Sequence, residues 1–490
     1  MSHSPEIQEL LITSDKAVKD ALKIIDHNAQ GTCFVVDDNG KLIGVITDGD
    51  IRRALIDGKN LESKVSEVMQ TKFISLPVST PVDQIQSKIT VRVRHIPLVD
   101  ENNIPVDYAS FTKAHRIPVM TPLLSGNELK YVTECITTGW ISSQGAYVKK
   151  FEQLFAEYSN MKFGAAVSNG TVAIHLALVA LGIGEGDEVI VPDLTFAASI
   201  NGVIYTGATP VIADIDPETW TLSPAEVEKL ITPKTKAIMP VHIYGHACDM
   251  DKLMAIAKKH NLLVIEDCAE ALGGLYKGQH VGSFGDAATF SFFGNKTITT
   301  GEGGMVLFKD ENVYNKALVL RDHGMSKQKR YWHDFVGFNY RMTNIQAAIG
   351  VAQLERLDEF VKAKRNMAAV FNAGLSTNKS ISIPPEKEWA FNGYWLYTCI
   401  IDPKGGVSRD ELIEKLMKNG VETRPVFYPL HEMPPYVQYV RSGQTFPVTD
   451  HISQNGISLP SSVTITAEEQ NSILNAFTAI YNTRKLNVNI

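Results

Sequence analysis

Cysteine is scarce in this chain of 490 residues, and its placement excludes two common uses of the residue. The five cysteines are scattered and form no CxxC pair: Cys33, Cys135, Cys248, Cys268 and Cys399. An odd and sparse set argues against a disulfide framework and against a zinc site. It is typical of reduced thiols in a cytoplasmic protein, and we expect no metal.

Long apolar runs and an excess of positive charge are also missing. No stretch approaches the roughly 18 apolar residues that a membrane helix needs, and the opening residues MSHSPEIQEL lack the pattern of a signal peptide. The formal net charge is −7, which argues against a nucleic-acid partner because such a partner usually needs a basic face. With 44% hydrophobic residues, the sequence predicts a globular cytoplasmic enzyme.

Residues 1–112 contain a weak internal repeat. An amphipathic helical pattern precedes the strand-like runs GTCFVVDD and KLIGVITD, and Asn39-Gly40 between these runs is a hairpin signal. The runs FISLPVSTPVDQIQSKI and HIPLVDENNIPV repeat this order further along the chain. Two copies of about sixty residues each are therefore predicted.

This segment resembles a tandem CBS (Bateman) module. The first copy carries GVITDGDIRRAL, which matches the family's nucleotide-contact signature, and Thr47 and Asp50 match its hydroxyl and its ribose-binding carboxylate. In the second copy IPVDYASF stands where that signature is expected, so this copy departs from the pattern. A regulatory nucleotide at the module and a role limited to packing or dimerisation both remain open.

The composition changes after the repeat. The run TKAHRIPVMTPLL has two prolines and no periodicity, which predicts a linker over residues 113–124. Ser125 and Glu128 then match a capping box at a helix start. Over residues 125–365, continuously apolar runs such as DEVIVPDL and LLVIEDC alternate with helical patterns, which indicates a mostly parallel sheet buried on both faces. Residues 366–490 predict a smaller α+β C-terminal domain.

Four features of the α/β region lie at predicted strand ends or helix starts. The run SNGT, 168–171, offers free N–H groups at a helix N-terminus, a place where anions bind. Asp267 ends an apolar strand, and Phe196 follows another strand. Taken singly, these three are better explained as an ordinary helix cap, a capping aspartate and a core aromatic.

The fourth feature is a lysine in the run SFFGNKTITTGEGG, which also contains Ser291. Lys296 has no charged neighbour before Glu302, and such a lysine suits covalent chemistry on a carbonyl group. Its spacing of 29 positions from Asp267 predicts one helix, a turn and one strand between them. A phosphate cradle, a stacking aromatic, a carboxylate and an isolated lysine are together what pyridoxal 5′-phosphate requires.

Residues 115–485 resemble the DegT/DnrJ/EryC1/StrS family of nucleotide-sugar aminotransferases. The runs that carry the resemblance occur in the family's order: GWISSQGAYVKKFE, PVHIYGHACDMD, VIEDCAEA, SFFGNKTITTGEGG, DHGM and GFNYRMTNIQAAIG. The resemblance implies an α/β fold of the fold-type I pyridoxal-phosphate class, with a mostly parallel central sheet and a small α+β C-terminal lobe. Here an α+β CBS pair precedes it.

The family's functional residues carry over by position. Lys296 becomes the Schiff-base lysine and catalytic residue, Asp267 the partner of the pyridine nitrogen, and Asn339 a contact to the phosphate of the neighbouring subunit. The full cofactor-binding set is Gly170, Thr171, Phe196, Asp267, Glu270, Ser291, Lys296 and Asn339. Glu270 stands where many relatives have glutamine. Motif position alone suggests substrate contacts at Ser142, His323, Tyr331, His333 and Phe427.

Within the family, three runs are similar to the subgroup that converts GDP-4-keto-6-deoxy-D-mannose to GDP-perosamine: SFFGNKTITTGEGG, RYWHDFVGFNYRMTN and ETRPVFYPLHEMPPY. The resemblance implies transamination at the C4 ketone of a nucleotide-linked 4-keto-6-deoxy sugar, with L-glutamate as the donor. It also implies a homodimer with shared active sites, possible higher oligomers, and a role in surface polysaccharide synthesis such as the O-antigen of lipopolysaccharide.

The sequence bears on three alternative functions. A 3-dehydratase of the same fold has histidine at the lysine position, so Lys296 argues against it. Aminotransfer to a nucleotide-linked 2-acetamido-4-keto-2,4,6-trideoxyhexose is poorly separated by sequence. A non-catalytic nucleotide sensor would not need the set of Lys296, Asp267 and Ser291.

Overall fold

The computed structural model describes residues 5–28, 30–81, 84–85, 88–90, 93–110 and 116–487. The chain divides into two compact units, Met1–Arg116 with Lys418–Gly420, and Ile117–Met417 with Val421–Ile490. The start of the predicted linker, residues 113–115, lies outside the described residues. From Ile117 onward the segment predicted as a linker is part of the second unit.

The first unit contains one strand arrangement twice. Its helices and strands are α1 (Pro5–Gln8), β1 (Leu11–Thr13), α2 (Val18–Asn28), β2 (Thr32–Val36), β3 (Leu42–Thr47), α3 (Asp48–Ile56), β4 (Leu76–Pro77), β5 (His95–Val99) and β6 (Pro105–Ser110). In both β1-β2-β3 and β4-β5-β6 the first pair is parallel and the second antiparallel. The two halves thus share one topology, as the internal repeat predicts.

The first nine strands of the second unit form its main sheet and one small hairpin. In chain order they are β7 (Phe163–Val167), β8 (Glu188–Pro192), β9 (Thr209–Ala213), β10 (Thr235–Ile238), β11 (Leu263–Asp267), β12 (Leu275–Tyr276), β13 (Gln279–His280), β14 (Ala287–Ser291) and β15 (Gly304–Phe308). The main sheet has the order β7-β15-β14-β11-β10-β8-β9, and only the pairings of β15 are antiparallel. The mostly parallel sheet is therefore confirmed.

Helices cover both faces of this sheet. They are α4 (Glu128–Thr138), α5 (Ala146–Tyr158), α6 (Gly170–Ala180), α7 (Ala198–Tyr205), α8 (Pro224–Leu230), α9 (Met250–His260), α10 (Glu311–Arg321), α11 (Asn344–Leu354) and α12 (Leu357–Leu375). Along β8, Ile190 packs in one apolar cluster, while Val189 and Val191 pack in the other. Burial on both faces explains why the strand sequences are continuously apolar.

A second, smaller sheet follows toward the C-terminus. The remaining elements are β16 (Ile381–Ser382), β17 (Ala390–Phe391), β18 (Tyr397–Ile401), α13 (Arg409–Lys418), β19 (Arg424–Pro425), α14 (Pro447–Asn455), β20 (Gly456–Leu459) and α15 (Ala467–Asn487). The sheet has the order β16-β18-β20-β19, and β17 instead joins β12 and β13. Helix α12 runs through the boundary placed at residue 365. No helix in the described part of the chain is both long and apolar enough to cross a membrane.

The segment between Asp267 and Lys296 differs from its prediction. The predicted helix is wrong, because the chain forms the hairpin β12–β13 before it enters β14. The turn residues Lys277 and Gly278 have φ values of 49° and 81°, the left-handed conformation that tight hairpins need. The sequence LGGLYKGQHVGSFGD is rich in glycine, which disfavours a helix.

The predicted capping box at Ser125 and Glu128 is also wrong. Helix α4 begins at Glu128 itself, and its N-cap residue Asn127 makes no side-chain capping bond. The Glu128 carboxylate instead accepts hydrogen bonds from the Gly126 N–H at 2.7 Å and from the Gln353 amide at 2.7 Å. A buried partner on α11 therefore decides the role of this glutamate.

Candidate active site

Lys296 lies in the loop that follows β14, and its environment is nearly dry. Its backbone N–H donates to the Phe293 carbonyl at 2.9 Å, and its side chain is 13% exposed. The Nζ atom lies 3.7 Å from Glu270 Oε1, too far for a good hydrogen bond, and 3.6 Å from the centroid of the Trp395 ring. Burial lowers the pKa of Lys296, although the Glu270 and Asp267 carboxylates oppose this shift. A buried lysine with a lowered pKa is more readily deprotonated than a surface lysine, which suits a base or a nucleophile.

Asp267 is the last residue of β11 and is buried. The Ser199 hydroxyl of α7 donates to its Oδ2 at 2.7 Å, and the Ala269 N–H donates to its Oδ1 at 3.1 Å. Burial raises the pKa of Asp267, and the Ser199 hydrogen bond counters this rise. A buried carboxylate at the carboxyl edge of a parallel sheet is well placed for a ligand that carries a protonated nitrogen.

Glu270 is the second carboxylate near Lys296. Burial raises its pKa to about 7, against the effect of the nearby Lys296. The Tyr244 N–H donates to its Oε2 at 3.0 Å. Tyr244 has a φ of 52°, a conformation that is uncommon for an aromatic residue and often marks functional sites. Glu270 therefore changes charge near neutral pH beside the reactive lysine.

The run SNGT lies beside the end of β14. Helix α6 begins at Gly170, and the Asn169 side chain caps it by accepting from the Val172 N–H at 3.0 Å. A Cβ atom placed on Gly170 would lie 2.8 Å from the Cβ of Ser291 and 3.1 Å from its Oγ. Glycine is thus required for this close approach. It brings the Ser291 hydroxyl next to the free N–H groups at Gly170 and Thr171, which together suit a phosphate.

Phe196 is not a core residue, because it is 59% exposed. Its ring centroid lies 5.9 Å from that of Phe427, and the Phe427 ring stacks at 5.6 Å on Tyr244. These aromatics line a cavity of about 490 Å³ whose wall also includes Asn295, Trp395 and Arg424. The structure therefore places Phe427, alone among the suggested substrate contacts, in the cavity that Phe196 lines.

Asn339 belongs to a separate polar cluster. Arg341 Nη2 donates to Asn339 Oδ1 at 3.0 Å and lies 3.2 Å from His323 Nε2. His333 Nδ1 is 2.8 Å from the His323 carbonyl, and Tyr331 in the same segment is 77% exposed. Arg341 thus contacts two of the predicted site residues, His323 and Asn339, and His333 joins them through the backbone of His323.

This cluster lies near the SNGT loop of its own chain. The Ser168 N–H donates to the Tyr340 carbonyl at 2.9 Å, and Val167 pairs with Arg341. Among the contacts described for residues 116–487, none joins the cluster to Lys296. Ser142 is likewise at the surface, where its carbonyl accepts from the Asn344 N–H at 3.2 Å.

Sequence reasoning missed several residues that shape the site. Ser199 hydrogen-bonds Asp267 from 68 positions away, and Trp395 donates from its indole nitrogen to the Asn295 carbonyl at 2.8 Å across 100 positions. Tyr244 positions Glu270 through its backbone. None of these three has a distinguishing signal in its own stretch, since each role depends on long-range folding.

In the first unit, Thr47 and Asp50 lie together at the start of α3. They form a reciprocal capping box in which Asp50 N–H donates to Thr47 Oγ1 at 3.2 Å and Thr47 N–H donates to Asp50 Oδ2 at 2.9 Å. Arg53 and the Gln70 amide donate to the other carboxylate oxygen. Both side chains therefore stabilise the helix start, and the carboxylate is held by two further donors.

Two family models match the chain, one for each of its two compact units. The sequence model of the CBS domain matches residues 6–57 and 65–110, and that of the DegT/DnrJ/EryC1/StrS aminotransferase family matches residues 122–478. The chain is 50% identical over 353 residues to the GDP-perosamine synthase of Escherichia coli O157:H7, a match covering 72% of this chain and 95% of that protein. It is 49% identical over 362 residues to the GDP-perosamine synthase of Caulobacter vibrioides, covering 74% of this chain and 97% of the relative.

A solved structure shares the fold of the second unit. The putative sugar aminotransferase Spr1654 from Streptococcus pneumoniae, in its PLP-form, superposes with a TM-score of 0.71 at 28% identity. The superposition covers 75% of this chain and 99% of that chain. Since the family match spans most of the second unit and both synthases align over nearly their whole length, the chain belongs to the DegT/DnrJ/EryC1/StrS aminotransferase family.

Proposed function

We propose that this protein transfers an amino group from L-glutamate to the C4 ketone of GDP-4-keto-6-deoxy-D-mannose, with pyridoxal 5′-phosphate as cofactor. The observation that carries the substrate is the identity of 49–50% to two GDP-perosamine synthases. The chemistry is supported by a buried Lys296 beside two carboxylates, Asp267 and Glu270. The product would be a 4-amino-4,6-dideoxy sugar for surface polysaccharides such as an O-antigen.

The residues at the site fit this cofactor. The N–H groups at the start of α6 and the Ser291 hydroxyl suit its phosphate, and the contact at Gly170 leaves no room for a larger residue. Asp267 offers a carboxylate for the ring nitrogen, and Phe196 presents an exposed aromatic face. Lys296 is the amine for covalent attachment.

When bound, the cofactor supplies an electron sink for the bond that breaks at the amino-bearing carbon. Ser199 and the Ala269 N–H donate to Asp267 and favour its ionised form, which keeps a ring nitrogen protonated. Lys296 would be the residue that holds this cofactor covalently, and its amine would carry the proton between the donor carbon and the cofactor. Burial lowers the pKa of Lys296, which favours the uncharged amine that such a proton transfer needs.

Glu270 has a supporting role in these proton transfers. The pKa of Glu270 is about 7, and one of its oxygens lies 3.7 Å from Lys296 Nζ. The ionised Glu270 carboxylate therefore compensates the positive charge of a protonated Lys296, whereas the neutral carboxyl group does not. The same two residues serve the second half-reaction, in which the amino group moves to the sugar. Of the suggested substrate contacts, Phe427 lines the cavity, whereas Ser142, His323, Tyr331 and His333 remain predictions.

The active protein is proposed to be a homodimer. Helix α4 and the residues after it carry four exposed apolar side chains, which a monomer would leave in water: Leu129, Ile136, Trp140 and Ile141. A second copy of this chain is the occupant that we propose for this face. Asn339 and its histidine neighbours then complete the site of the other subunit.

A nucleotide is proposed as a regulatory ligand of the CBS module. Thr47 and Asp50 match the family's nucleotide-contact pair, although in this structure both cap α3, and the second copy lacks a matching pair. We therefore expect at most one nucleotide per module. Calorimetry with adenine and guanine nucleotides on the wild type and on Asp50→Ala measures binding. Turnover with and without the same nucleotides then separates regulation from simple binding.

The substrate proposal is tested by a panel assay. Purified protein with pyridoxal phosphate and glutamate is offered GDP-4-keto-6-deoxy-D-mannose, a UDP-2-acetamido-4-keto-6-deoxy sugar and a dTDP-4-keto-6-deoxy sugar, and the amino products are measured by mass spectrometry. We expect the GDP sugar to give a kcat/KM at least tenfold above the others. Preference for the acetamido sugar would show that this sugar, and not the GDP sugar, is the substrate. Loss of a hydroxyl group without amination would indicate a dehydratase.

A further inference from the structure

Lys364 is a buried lysine to which the proposed reaction assigns no task. It lies on α12, and its side chain is fully buried. Its Nζ donates to the Ser461 carbonyl at 2.8 Å and to the Trp395 carbonyl at 3.0 Å, with Met120 Sδ 3.7 Å away. No carboxylate is among these partners in the described part of the chain. Burial without a counter-ion lowers the pKa of Lys364 to about 7, and so costly a group indicates a function.

Trp395 connects this lysine with the catalytic one. Lys364 holds the backbone carbonyl of Trp395, while the indole Nε1 donates to the carbonyl of Asn295, the residue before Lys296. The indole ring centroid lies 3.6 Å from Lys296 Nζ. The negative face of the ring favours positive charge at that nitrogen. One tryptophan therefore contacts both buried lysines, one at each end.

Ser461 connects Lys364 with the cavity wall through hydrogen bonds. The Ser461 N–H donates to the Val119 carbonyl at 2.7 Å, and its Oγ accepts from the Tyr397 N–H at 2.9 Å. Val119 and Trp395 both line the cavity beside Phe196. Loss of the Lys364 ammonium would remove one donor from each of two backbone segments behind this wall, and a buried carbonyl without its donor is costly.

We propose that Lys364 is a positioning residue that holds the Trp395 ring against Lys296 and thereby sets how firmly the Lys296 nitrogen keeps its proton. The proposal rests on the cofactor site of the proposed function and not on the identity of the sugar. It predicts that a neutral side chain of similar length releases Trp395 from its place. The Lys296 nitrogen then loses the stabilisation that the ring face gives to its positive charge.

The test uses the full chain loaded with pyridoxal phosphate, with no sugar present. The visible absorbance of the cofactor bound to Lys296 reports the protonation of the Lys296 nitrogen, so its pH titration gives a midpoint. In Lys364→Met we expect this midpoint to fall by about 0.5 to 1 pH unit. Trp395→Leu should lower it by a similar amount, and the double variant should fall no further than Trp395→Leu alone.

Met367→Ala provides the matched control. Met367 is buried on the same helix but packs in a different apolar cluster from Trp395. This variant should lower the melting temperature and leave the midpoint where the wild type has it. A midpoint in Lys364→Met that moves no more than in Met367→Ala overturns the proposal. So does a failure of Lys364→Met and Lys364→Arg to fold when Met367→Ala folds, since the role is then structural. Failure to aminate any sugar would leave these midpoints unaffected.

Discussion

At the scale of single residues, the chemistry depends on how little water reaches Lys296. Its side chain is 13% exposed, and the nearest carboxylate oxygen is 3.7 Å away. A fully formed ion pair would hold the lysine in its charged form, whereas this loose contact leaves it able to lose the proton. Ser199, Tyr244 and Trp395 each hydrogen-bond one neighbour of the lysine: Asp267, Glu270 and Asn295, respectively.

Replacement of Lys296 tests the central assignment. Lys296→Ala should reduce turnover at least about 10⁴-fold, because one side chain serves as nucleophile and as proton carrier in both half-reactions. The variant should still bind the cofactor without a covalent link, since Asp267, Phe196 and the start of α6 are unchanged. Borohydride reduction followed by mass spectrometry of the intact protein should attach the cofactor to the wild type only. Activity near the wild-type level in Lys296→Ala would refute the mechanism.

The pKa of Glu270 predicts a pH dependence of stability. Burial raises this pKa from about 4.5 to about 7, so ionisation of the carboxyl costs folding free energy. Below about pH 4.5 the Glu270 carboxyl is neutral and the free energy of unfolding has its full value from this group. As the pH rises through about 7, the carboxyl ionises in the folded protein and this stabilisation is lost. The shift corresponds to at most about 3 kcal/mol.

Chemical denaturation of the cofactor-free protein at several pH values measures this effect. Glu270→Gln is neutral at every pH, so its free energy of unfolding should vary less between pH 4.5 and 7.5 than that of the wild type. Equal slopes for the two proteins across this range would show that the carboxyl is already ionised at low pH. The cofactor is left out because its binding would add its own pH dependence.

At the scale of elements, the cofactor site depends on the approach of α6 to the end of β14. A Cβ on Gly170 would lie 2.8 Å from the Ser291 Cβ, a separation that real structures avoid. Either the helix start or the strand end must then shift. Because a helix N-terminus binds a phosphate only when its N–H groups point at it, a small shift is enough to weaken the site.

Gly170→Ala should therefore raise the dissociation constant for pyridoxal phosphate about tenfold or more, with a small change in melting temperature. Alanine itself is favourable at a helix start, so the loss would come from the contact. Equilibrium dialysis or fluorescence titration gives the constant. Gly184→Ala, at a loop glycine without a left-handed φ whose Cβ would meet only the Thr206 carbonyl at an ordinary 3.6 Å, serves as a control for general effects of the substitution. Unchanged cofactor affinity in Gly170→Ala would show that the two elements adjust without cost.

At the scale of the whole molecule, the position of Asn339 predicts that activity needs two chains. The cluster around Arg341 makes no described contact with Lys296 of its own chain, although Tyr340 beside it accepts from Ser168 of the SNGT run. We propose that it serves the site of a second copy. An Asn339→Asp variant places a negative charge opposite the cofactor phosphate and should be inactive, as should Lys296→Ala.

Mixing these two inactive variants tests the shared site. In a mixed dimer one of the two sites has both its Lys296 and the Asn339 of the other chain intact. Since about half of the dimers are mixed after random exchange, the specific activity of the mixture should recover to at most about a quarter of the wild-type value. Native mass spectrometry confirms that subunits have exchanged. Absence of recovery after proven exchange would mean that each chain completes its own site. Light scattering on the wild type should give the mass of two chains or more.

Much of the architecture could be predicted from the sequence because local patterns determine it. Continuously apolar runs separated by helical patterns identify the strands of a sheet buried on both faces, and the structure confirms the mostly parallel sheet. The chemical types in the set of SNGT, Asp267 and Lys296 indicate a phosphate-bearing aldehyde cofactor before any coordinates are considered. Residue type and position relative to strand ends were sufficient for this inference.

The tertiary structure decided what depends on contacts between distant parts of the chain. Glu128 is held by Gln353 instead of capping its helix, and the glycine-rich segment after Asp267 forms a hairpin where a helix was predicted. The packing of α12 against Trp395 through Lys364 has no local pattern in the sequence. The sequence by itself determined which groups carry the chemistry. Only the fold decided their burial and therefore their pKa values, because the contacts around them join parts of the chain that are 26 to 100 positions apart.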